Sequence, residues 1–447
     1  PTPRGGFFGG GISTPQYARD GRTIYFLERD GIWAVPSGSG GPAEGAAAST
    51  SLAPPAVGAR GGGPERRRVT FTARVEVDHR AEWKQVFHES WRVMKNRFYD
   101  PKMHGVDWAR MRTVYEPLLE HIADQEEMHN VVLQMIGELN ASHTGISPAT
   151  TPADRQAVQT RYPGFEIEPD PSGRYRVSRI YKNGPADKDY VKRAPGDFVL
   201  AVNDQELKTP ENYWKYYNSL PGRKFEFTVN SKPTLEGAWK IKVEPVSATQ
   251  HATLLYEKWV AERKAMVEEI GAGDIGYLHI RAMNVESLRK FERDLVENRF
   301  KQALIIDQRF NGGGGIDQEL LQILIQKPYQ TTRARDSVEV SRPQRAFFGP
   351  MVVMANESSG SDAEMFPDGF RALGLGKVVG VPTYGAVIGT GAYRLLDGST
   401  IRTPGAGVWS VKGYNLENYG VPPDVYVDNG PEDFLRGRDA QIQKAVE

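Results

Sequence analysis

At 447 residues the chain is too long for one compact core, so two to four domains are expected. Acidic and basic side chains balance at 56 each, which leaves no net field to steer the protein toward nucleic acid or an anionic membrane. Cysteine is absent, which removes disulfides, thiolate nucleophiles and zinc–thiolate sites together and leaves the redox compartment open. No apolar run approaches the ~18 residues of a membrane span. The chain opens Pro-Thr-Pro-Arg without a methionine, which points to a native start further upstream and leaves room for a removed signal peptide.

In residues 1–44, two short β-type runs, Thr23–Leu27 and Ile32–Val35, each follow an Asp-Gly turn (Asp20-Gly21 and Asp30-Gly31). The pattern resembles one blade of a propeller built from TolB-like repeats. A lone blade cannot bury its faces, so this one is expected to be the tail of a propeller whose other blades lie upstream. Residues 45–74 read as a flexible linker: from Ala43 to Pro64 the composition is Ala, Gly, Ser and Pro with no apolar period, and the basic triplet Arg66-Arg67-Arg68 reads as solvated.

Residues 75–155 are expected to be helical. Trp83, Phe87, Trp91, Met94 and Phe98 recur at helical spacing and form an apolar stripe that ends at Tyr99-Asp100-Pro101. Further helices are expected over Met111–Ile122 and Met128–Leu139, the last running into Asn140-Ala141-Ser142-His143-Thr144-Gly145. Glu126 and His129 form half of a metal-binding pattern with no second half, and read as surface.

Residues 160–247 resemble a PDZ domain. Pro163-Gly164-Phe165-Glu166-Ile167 fits the loop and strand that capture a peptide by β-augmentation, and Pro195-Gly196-Asp197-Phe198-Val199-Leu200-Ala201-Val202-Asn203 fits a turn followed by an apolar strand. From 248 to 447 strands alternate with helices: strand Asp274–Ile280, helix Val285–Asn298, strand Ala303–Asp307, a glycine loop, a helix over 317–326, strands Met351–Ala355 and Lys377–Val381. Such alternation implies an α/β layer architecture with parallel strands.

Two loops carry the chemistry. After the strand at 351–355, a turn of small residues places Ser361 where a helix begins, close to unpaired backbone N–H groups and the positive end of the helix dipole. Ser361 with Glu364 also fits a plain capping box, and local sequence leaves both readings open. Pro367 is expected to kink or shorten that helix. After Asp307, Asn311-Gly312-Gly313-Gly314-Gly315 lets backbone amides approach a ligand closely. No Gly-Lys-Ser/Thr follows, so a nucleotide site is excluded, while amides aimed at a carbonyl oxygen or a bare glycine turn both remain.

Ser142-His143, the glycine run, Gly360-Ser361-Asp362, and Glu417-Asn418-Tyr419-Gly420-Val421 before Pro423-Asp424 occur in one order. Together they resemble the tricorn protease family, relatives of the C-terminal processing peptidases. The resemblance implies a crotonase-like (Clp protease-like) α/β catalytic domain with a helical subdomain and an inserted PDZ domain. It further implies that Ser361 is the nucleophile and His143 its general base, with Ser142 and Glu417 orienting the histidine. The Asp362 amide and an amide from Gly312, Gly313 or Gly314 would form the oxyanion hole. No cofactor or metal is implied. Peptides are the implied partners, with trimers or hexamers as the implied assembly. The resemblance favours a cytoplasmic location, or a periplasmic or secreted one if a signal peptide was removed.

The physical logic agrees. A serine hydroxyl needs a base within hydrogen-bond reach, histidine has a suitable pKa, and its far nitrogen needs an acceptor that fixes the tautomer. A Ser/Lys mechanism would need a lysine after the strand at 377, but Thr383-Tyr384-Gly385-Ala386-Val387-Ile388-Gly389 contains none, and Lys377 reads as solvated. A catalytically silent peptide-binding scaffold and an acyl-CoA enzyme on the same fold are the alternatives from other classes.

Overall fold

The computed structural model describes residues 13–28, 31–37, 66–72, 74–150, 157–192, 194–218 and 223–447. The chain divides into two units, Pro1–Asp78 and His79–Glu447.

In the first unit, β1 (Ser13–Tyr17), β2 (Thr23–Glu28), β3 (Gly31–Pro36) and β4 (Arg67–Val69) form an antiparallel sheet in that order. The Arg66–Arg68 triplet is therefore not linker throughout. Arg67 and Arg68 pair with Ala34 and Trp33, and Arg66 reaches Glu28 at 3.3 Å. The added strand satisfies the backbone groups that β3 would otherwise leave unpaired at the sheet edge. The low-complexity stretch at 43–64 lies outside the described residues.

The second unit begins with α1 (His79–Arg97), α2 (Trp108–Tyr115) and α3 (Gln125–Gly137). Phe87, Met94 and Phe98 of the expected stripe are buried in one core, with Trp83 and Trp91 packed on it. His129 departs from its expected place. It sits on the inner face of α3, buried, with Nε2 bonded to the Ser399 hydroxyl at 2.9 Å. After β5 (Gly145–Ser147), a six-stranded β unit is built from β6 (Phe165–Pro169), β7 (Tyr175–Ile180), β8 (Phe198–Val202), β9 (Gln205–Glu206), β10 (Phe225–Asn230) and β11 (Trp239–Val243). Its strand order is β11-β10-β8-β7-β6, with β9 on β8, around a separate core that includes Phe165, Val199 and Phe227. The chain enters and leaves side by side, Tyr162 and Val246 exchanging backbone bonds of 2.9 Å.

The helix α4 (Ala248–Ile270) leads into a parallel sheet of order β12 (Ile275–His279), β13 (Ala303–Asp307), β16 (Met351–Ala355), β17 (Gly376–Gly380), β20 (Val425–Tyr426). Between these strands lie α5 (Val285–Asn298), α6 (Asp317–Leu324), the hairpin β14 (Gln330–Thr332) and β15 (Val340–Arg342), and α7 (Asp362–Ala372). The strands are apolar almost throughout because both faces are covered. Leu304, Ile306 and Val353 join Phe291, Leu320 and Phe366 of α5, α6 and α7 in one layer. Ile305 and Met354 face Val267 of α4 and Ile442 in the other. The remaining elements are β18 (Ile388–Arg394), β19 (Thr400–Gly407), α8 (Pro431–Leu435) and α9 (Ala440–Val446). β19 pairs with both β18 and β5, which joins the helical part to the α/β part.

Candidate active site

The strand β16 ends in a turn held from several directions. The Asn356 amide donates to Ser359 Oγ (3.1 Å), Ser359 Oγ to the Gln308 carbonyl (3.2 Å), and the Gly360 amide to the Asn311 carbonyl (3.0 Å). Ser361 follows with φ 58° and ψ −123°, a conformation that costs a non-glycine residue about 1–3 kcal/mol. Such strain persists only where neighbours enforce it, and it presents the serine at the mouth of a strand-to-helix turn. Glu364 does reach back to the Ser361 amide (3.1 Å), but the return bond from the Glu364 amide goes to the Ser361 carbonyl (2.8 Å). Both bonds use main-chain atoms of Ser361 and leave its hydroxyl out. The helix α7 does not stop at Pro367. The proline lacks the N–H that would bond the Ala363 carbonyl, and Gln308 Nε2 donates there instead, at 2.7 Å.

The glycine loop packs directly on this turn. Gly313, at φ 97°, is so close that a β-carbon on it would lie 2.6 Å from Ser361 Cβ and 3.1 Å from the Asp362 nitrogen. Only glycine leaves the space in front of the Asp362 amide open. The Gly313 amide is itself taken by Asn311 Oδ1 (3.0 Å), so the Gly312 and Gly314 amides are the loop's remaining donors in that run. The Asp362 side chain turns the other way and anchors the far end of the loop, accepting from the amides of Ile316 (2.7 Å) and Asp317 (3.2 Å). Burial, and then the neighbouring Asp317 carboxyl, push the Asp362 pKa up to about 7.

Ser142, His143 and Glu417 come together although 275 residues separate the first from the last. Ser142 Oγ lies 2.7 Å from His143 Nδ1 and donates to Glu417 Oε2 at 2.9 Å, while the Ser142 amide donates to Glu417 Oε1 at 2.6 Å. Because the hydroxyl proton goes to the carboxylate, the serine oxygen accepts from Nδ1–H. This network assigns the proton to Nδ1 and leaves Nε2 with a free lone pair. Burial, helped by the Arg402 guanidinium, holds the His143 pKa below the ordinary histidine value against the opposing pull of Glu417.

A short stretch joins the two halves. Glu364 Oε2 accepts from the Thr383 hydroxyl and the Gly385 amide (2.7 Å), and Oε1 from the Ala386 amide (2.8 Å). The next amide, Val387, donates to Glu417 Oε2 at 2.8 Å. Residues 383–387 thus tie the carboxylate beside Ser361 to the carboxylate behind His143. Asn418 adds to the link, with its amide on the Gly385 carbonyl and its side chain on the Asn140 carbonyl, both at 2.8 Å. No hydrogen bond joins Ser361 Oγ to the His143 ring among the described residues.

Residues 274–427 match the model of peptidase family S41, and residues 79–137 match the tricorn protease C1 domain. The chain carries a peptidase family S41 domain and a tricorn protease C1 domain. It is 32% identical over 385 residues to tricorn protease homolog 1 of Streptomyces coelicolor, across 83% of this chain and 35% of that protein. With the tricorn protease of Thermoplasma acidophilum it shares 26% identity over 375 residues, across 82% of this chain and 34% of that one. The chain therefore spans about a third of the length of these relatives. The crystal structure of the tricorn protease has the same fold, with a TM-score of 0.79 and 24% identity over 97% of this chain and 41% of that one. The S41 match includes Ser361, the glycine loop and Glu417, whereas the C1 match ends before Ser142 and His143.

Two features of this candidate site escaped sequence reasoning. Glu364 looked like a capping residue, and its Ser-x-x-Glu spacing carried no sign of the amides of 385 and 386 that it also holds. Arg402 acts on His143 only because β19 lies beside β5, a long-range pairing without a local signature.

Proposed function

We propose that this chain is a serine peptidase that cleaves peptides through an acyl-enzyme. The observation that carries the reading is the Glu417–Ser142–His143 relay, tied through residues 383–387 to the helix that Ser361 opens. In this mechanism Ser361 Oγ attacks the scissile carbonyl carbon and its proton passes to His143 Nε2. The oxyanion takes N–H donors from Asp362 and from Gly312 or Gly314. Collapse breaks the C–N bond, His143 returns the proton to the leaving amine, and water attacks the ester by the same route. Ser142 and Glu417 hold the ring and its tautomer. The stretch 383–387 contains no lysine, and Lys377 is exposed at the start of β17, which argues against a Ser/Lys pair.

The catalytic unit fits a crotonase-like domain, the sheet at 165–243 a PDZ domain, and the sheet in the first unit a propeller blade. Tricorn-type trimers or hexamers belong to the same proposal. The test is hydrolysis of a small peptide library by wild type, Ser361→Ala and His143→Ala, with fluorophosphonate labelling of Ser361. Each variant is expected to fold and to lose about 10³-fold or more in turnover. Near-wild-type turnover in either variant ends the assignment. Peptide binding without hydrolysis by the wild type would favour a silent scaffold.

A further inference from the structure

Outside the proposed catalytic residues, a cavity of about 570 Å³ opens between α4 and the base of the glycine loop. Its walls are Tyr256, Trp259 and Phe310, with Leu255, and His279 also lines it. His279 is neutral and fully used: its Nε2–H donates to the Arg309 carbonyl (3.0 Å) and its Nδ1 accepts from the Tyr256 hydroxyl (2.9 Å). Burial pushes its pKa below the ordinary value, so it brings no charge. Two cations complete the lining. Lys258 is paired with Glu262 at 3.0 Å. Arg281 has no ion pair among the described residues. Its guanidinium lies 4.4 Å from the centre of the Tyr256 ring and reaches only the Thr253 hydroxyl, at 3.4 and 3.5 Å.

Phe310 is the second unusual feature. It is 59% exposed and sits at φ 63°, a left-handed conformation that a bulky residue adopts only under constraint. Its amide is held by Asn356 Oδ1 at 2.9 Å, and its ring stands edge-on to Trp259 with centroids 5.7 Å apart. The strain holds an aromatic face open to solvent at the cavity wall. A solvent-facing aromatic wall beside an unneutralised guanidinium suits a ligand with an apolar part and an anion.

The cavity is wired to the loop on which the proposed reaction depends. Arg281 lies in the segment 280–283. There the Ile280 carbonyl accepts from Asn311 Nδ2 (3.0 Å), the Met283 amide donates to the Gly313 carbonyl (3.0 Å) and its carbonyl accepts from the Gly315 amide (2.8 Å). Phe310 is three residues from Gly313, which touches Ser361, so the separation along that path is at most ~10–15 Å. An extended peptide covers it in a few residues at ~3.3 Å each.

We propose that this cavity is a subsite for an acidic side chain of a peptide substrate, its carboxylate on Arg281 and an apolar neighbour two residues along against Trp259 and Phe310. Residues i and i+2 of an extended peptide share one face, which is the spacing this pairing needs. The proposal rests on the peptidase reading for the word substrate, and on the cavity alone for binding.

The experiment uses fluorescent peptides in matched Glu and Gln versions with amidated C termini, so that the chain end supplies no carboxylate, and a free-acid version of the Gln peptide for comparison. Binding is measured by anisotropy to the Ser361→Ala protein with and without Arg281→Gln, and KM and kcat are measured on the wild-type background. Arg281 is exposed at the cavity, so the substitution leaves the fold intact. The Glu peptide should bind about tenfold tighter than its Gln match, as one charge-assisted contact allows. Arg281→Gln should remove that preference, raise KM for the Glu peptide by a similar factor and leave kcat unchanged. Equal binding of the Glu and Gln peptides, or a preference that survives Arg281→Gln, overturns the proposal. A preference seen in binding with no hydrolysis by the wild type retains the subsite and refutes the peptidase reading, so the two fail separately. Tight binding confined to peptides with a free C terminus would assign the cavity to a chain end and overturn the acidic side chain.

Discussion

Glu364→Gln is the substitution that best tests how the two halves of the site are joined. The side chain is fully buried, and its two carboxylate oxygens accept from Ser361, Ala386, Gly385 and Thr383. Glutamine keeps one acceptor oxygen but turns an NH2 toward the Gly385 amide, where two donors now face each other. A charge-assisted bond is worth about 1.5–3 kcal/mol, and burial already raises the Glu364 pKa, so removing the charge recovers part of that loss. The net cost to stability should be about 1–3 kcal/mol. The effect on catalysis should be larger than that loss suggests. If 383–386 shifts, the Val387 amide leaves Glu417 and the histidine loses its orientation; a misplacement of about 1 Å can cost ~10²-fold. Short-peptide hydrolysis should show a fall in kcat of that order with KM nearly unchanged, alongside a modest drop in Tm. The core change Phe291→Leu serves as a control for lost stability alone. A Glu364→Gln kcat within twofold of wild type would refute the coupling and leave Glu364 a helix cap.

Three further outcomes follow from the geometry. As the proposed base, His143 must be neutral, and its lowered pKa then places the acid limb of the kcat/KM profile below the ordinary histidine range; Arg402→Gln should move that limb to higher pH and Glu417→Gln to lower pH, and opposite movements in a pH–rate series would refute the assigned neighbours. Gly313→Ala should lower kcat by about 10²–10³-fold, because its β-carbon would stand against Ser361 and the Asp362 amide; near-normal turnover would remove that amide from the oxyanion hole. Replacing residues 163–245 by a two-residue turn should spare short peptides and reduce kcat/KM for long ones, since Tyr162 and Val246 are already a bonded pair; an unchanged ratio would leave the insertion a spacer.

Much of this was legible in the residues because local pattern and tertiary role coincide. The helix at 285–298 and the strands at 303–307 and 351–355 have the expected bounds, since continuous apolar strands buried on both faces leave little choice of register. The helix through Pro367 was not legible, because the donor that replaces the missing N–H comes from Gln308, 55 residues earlier than its acceptor Ala363. The strand at Arg67–Val69 was hidden for a similar reason: three residues with two arginines carry no strand signal until an unpaired edge recruits them. The family resemblance that the motifs carry brought Ser142, His143 and Glu417 into one proposal. It could not supply the amides of 385–387, because backbone groups leave no trace in side-chain identity.

The placement of a serine between Glu417 and His143 has a chemical consequence of its own. Glu417 accepts from the Ser142 amide, the Ser142 hydroxyl and the Val387 amide, so its negative charge is already shared among three donors before the histidine is reached. The imidazole meets a neutral hydroxyl oxygen at 2.7 Å rather than a carboxylate. A carboxylate in direct contact would raise the histidine pKa strongly. Here burial and Arg402 outweigh the attenuated pull of Glu417, and the pKa stays below the ordinary value. The relay thus separates two tasks that a direct carboxylate performs together. It fixes the tautomer through a short hydrogen bond, and it leaves the ring unprotonated and ready to accept a proton at neutral pH. In the proposed mechanism, once Ser361 gives up its proton, the same chain of bonds would stabilise the imidazolium, because the Ser142 hydroxyl can lean further on the carboxylate as positive charge develops on the ring.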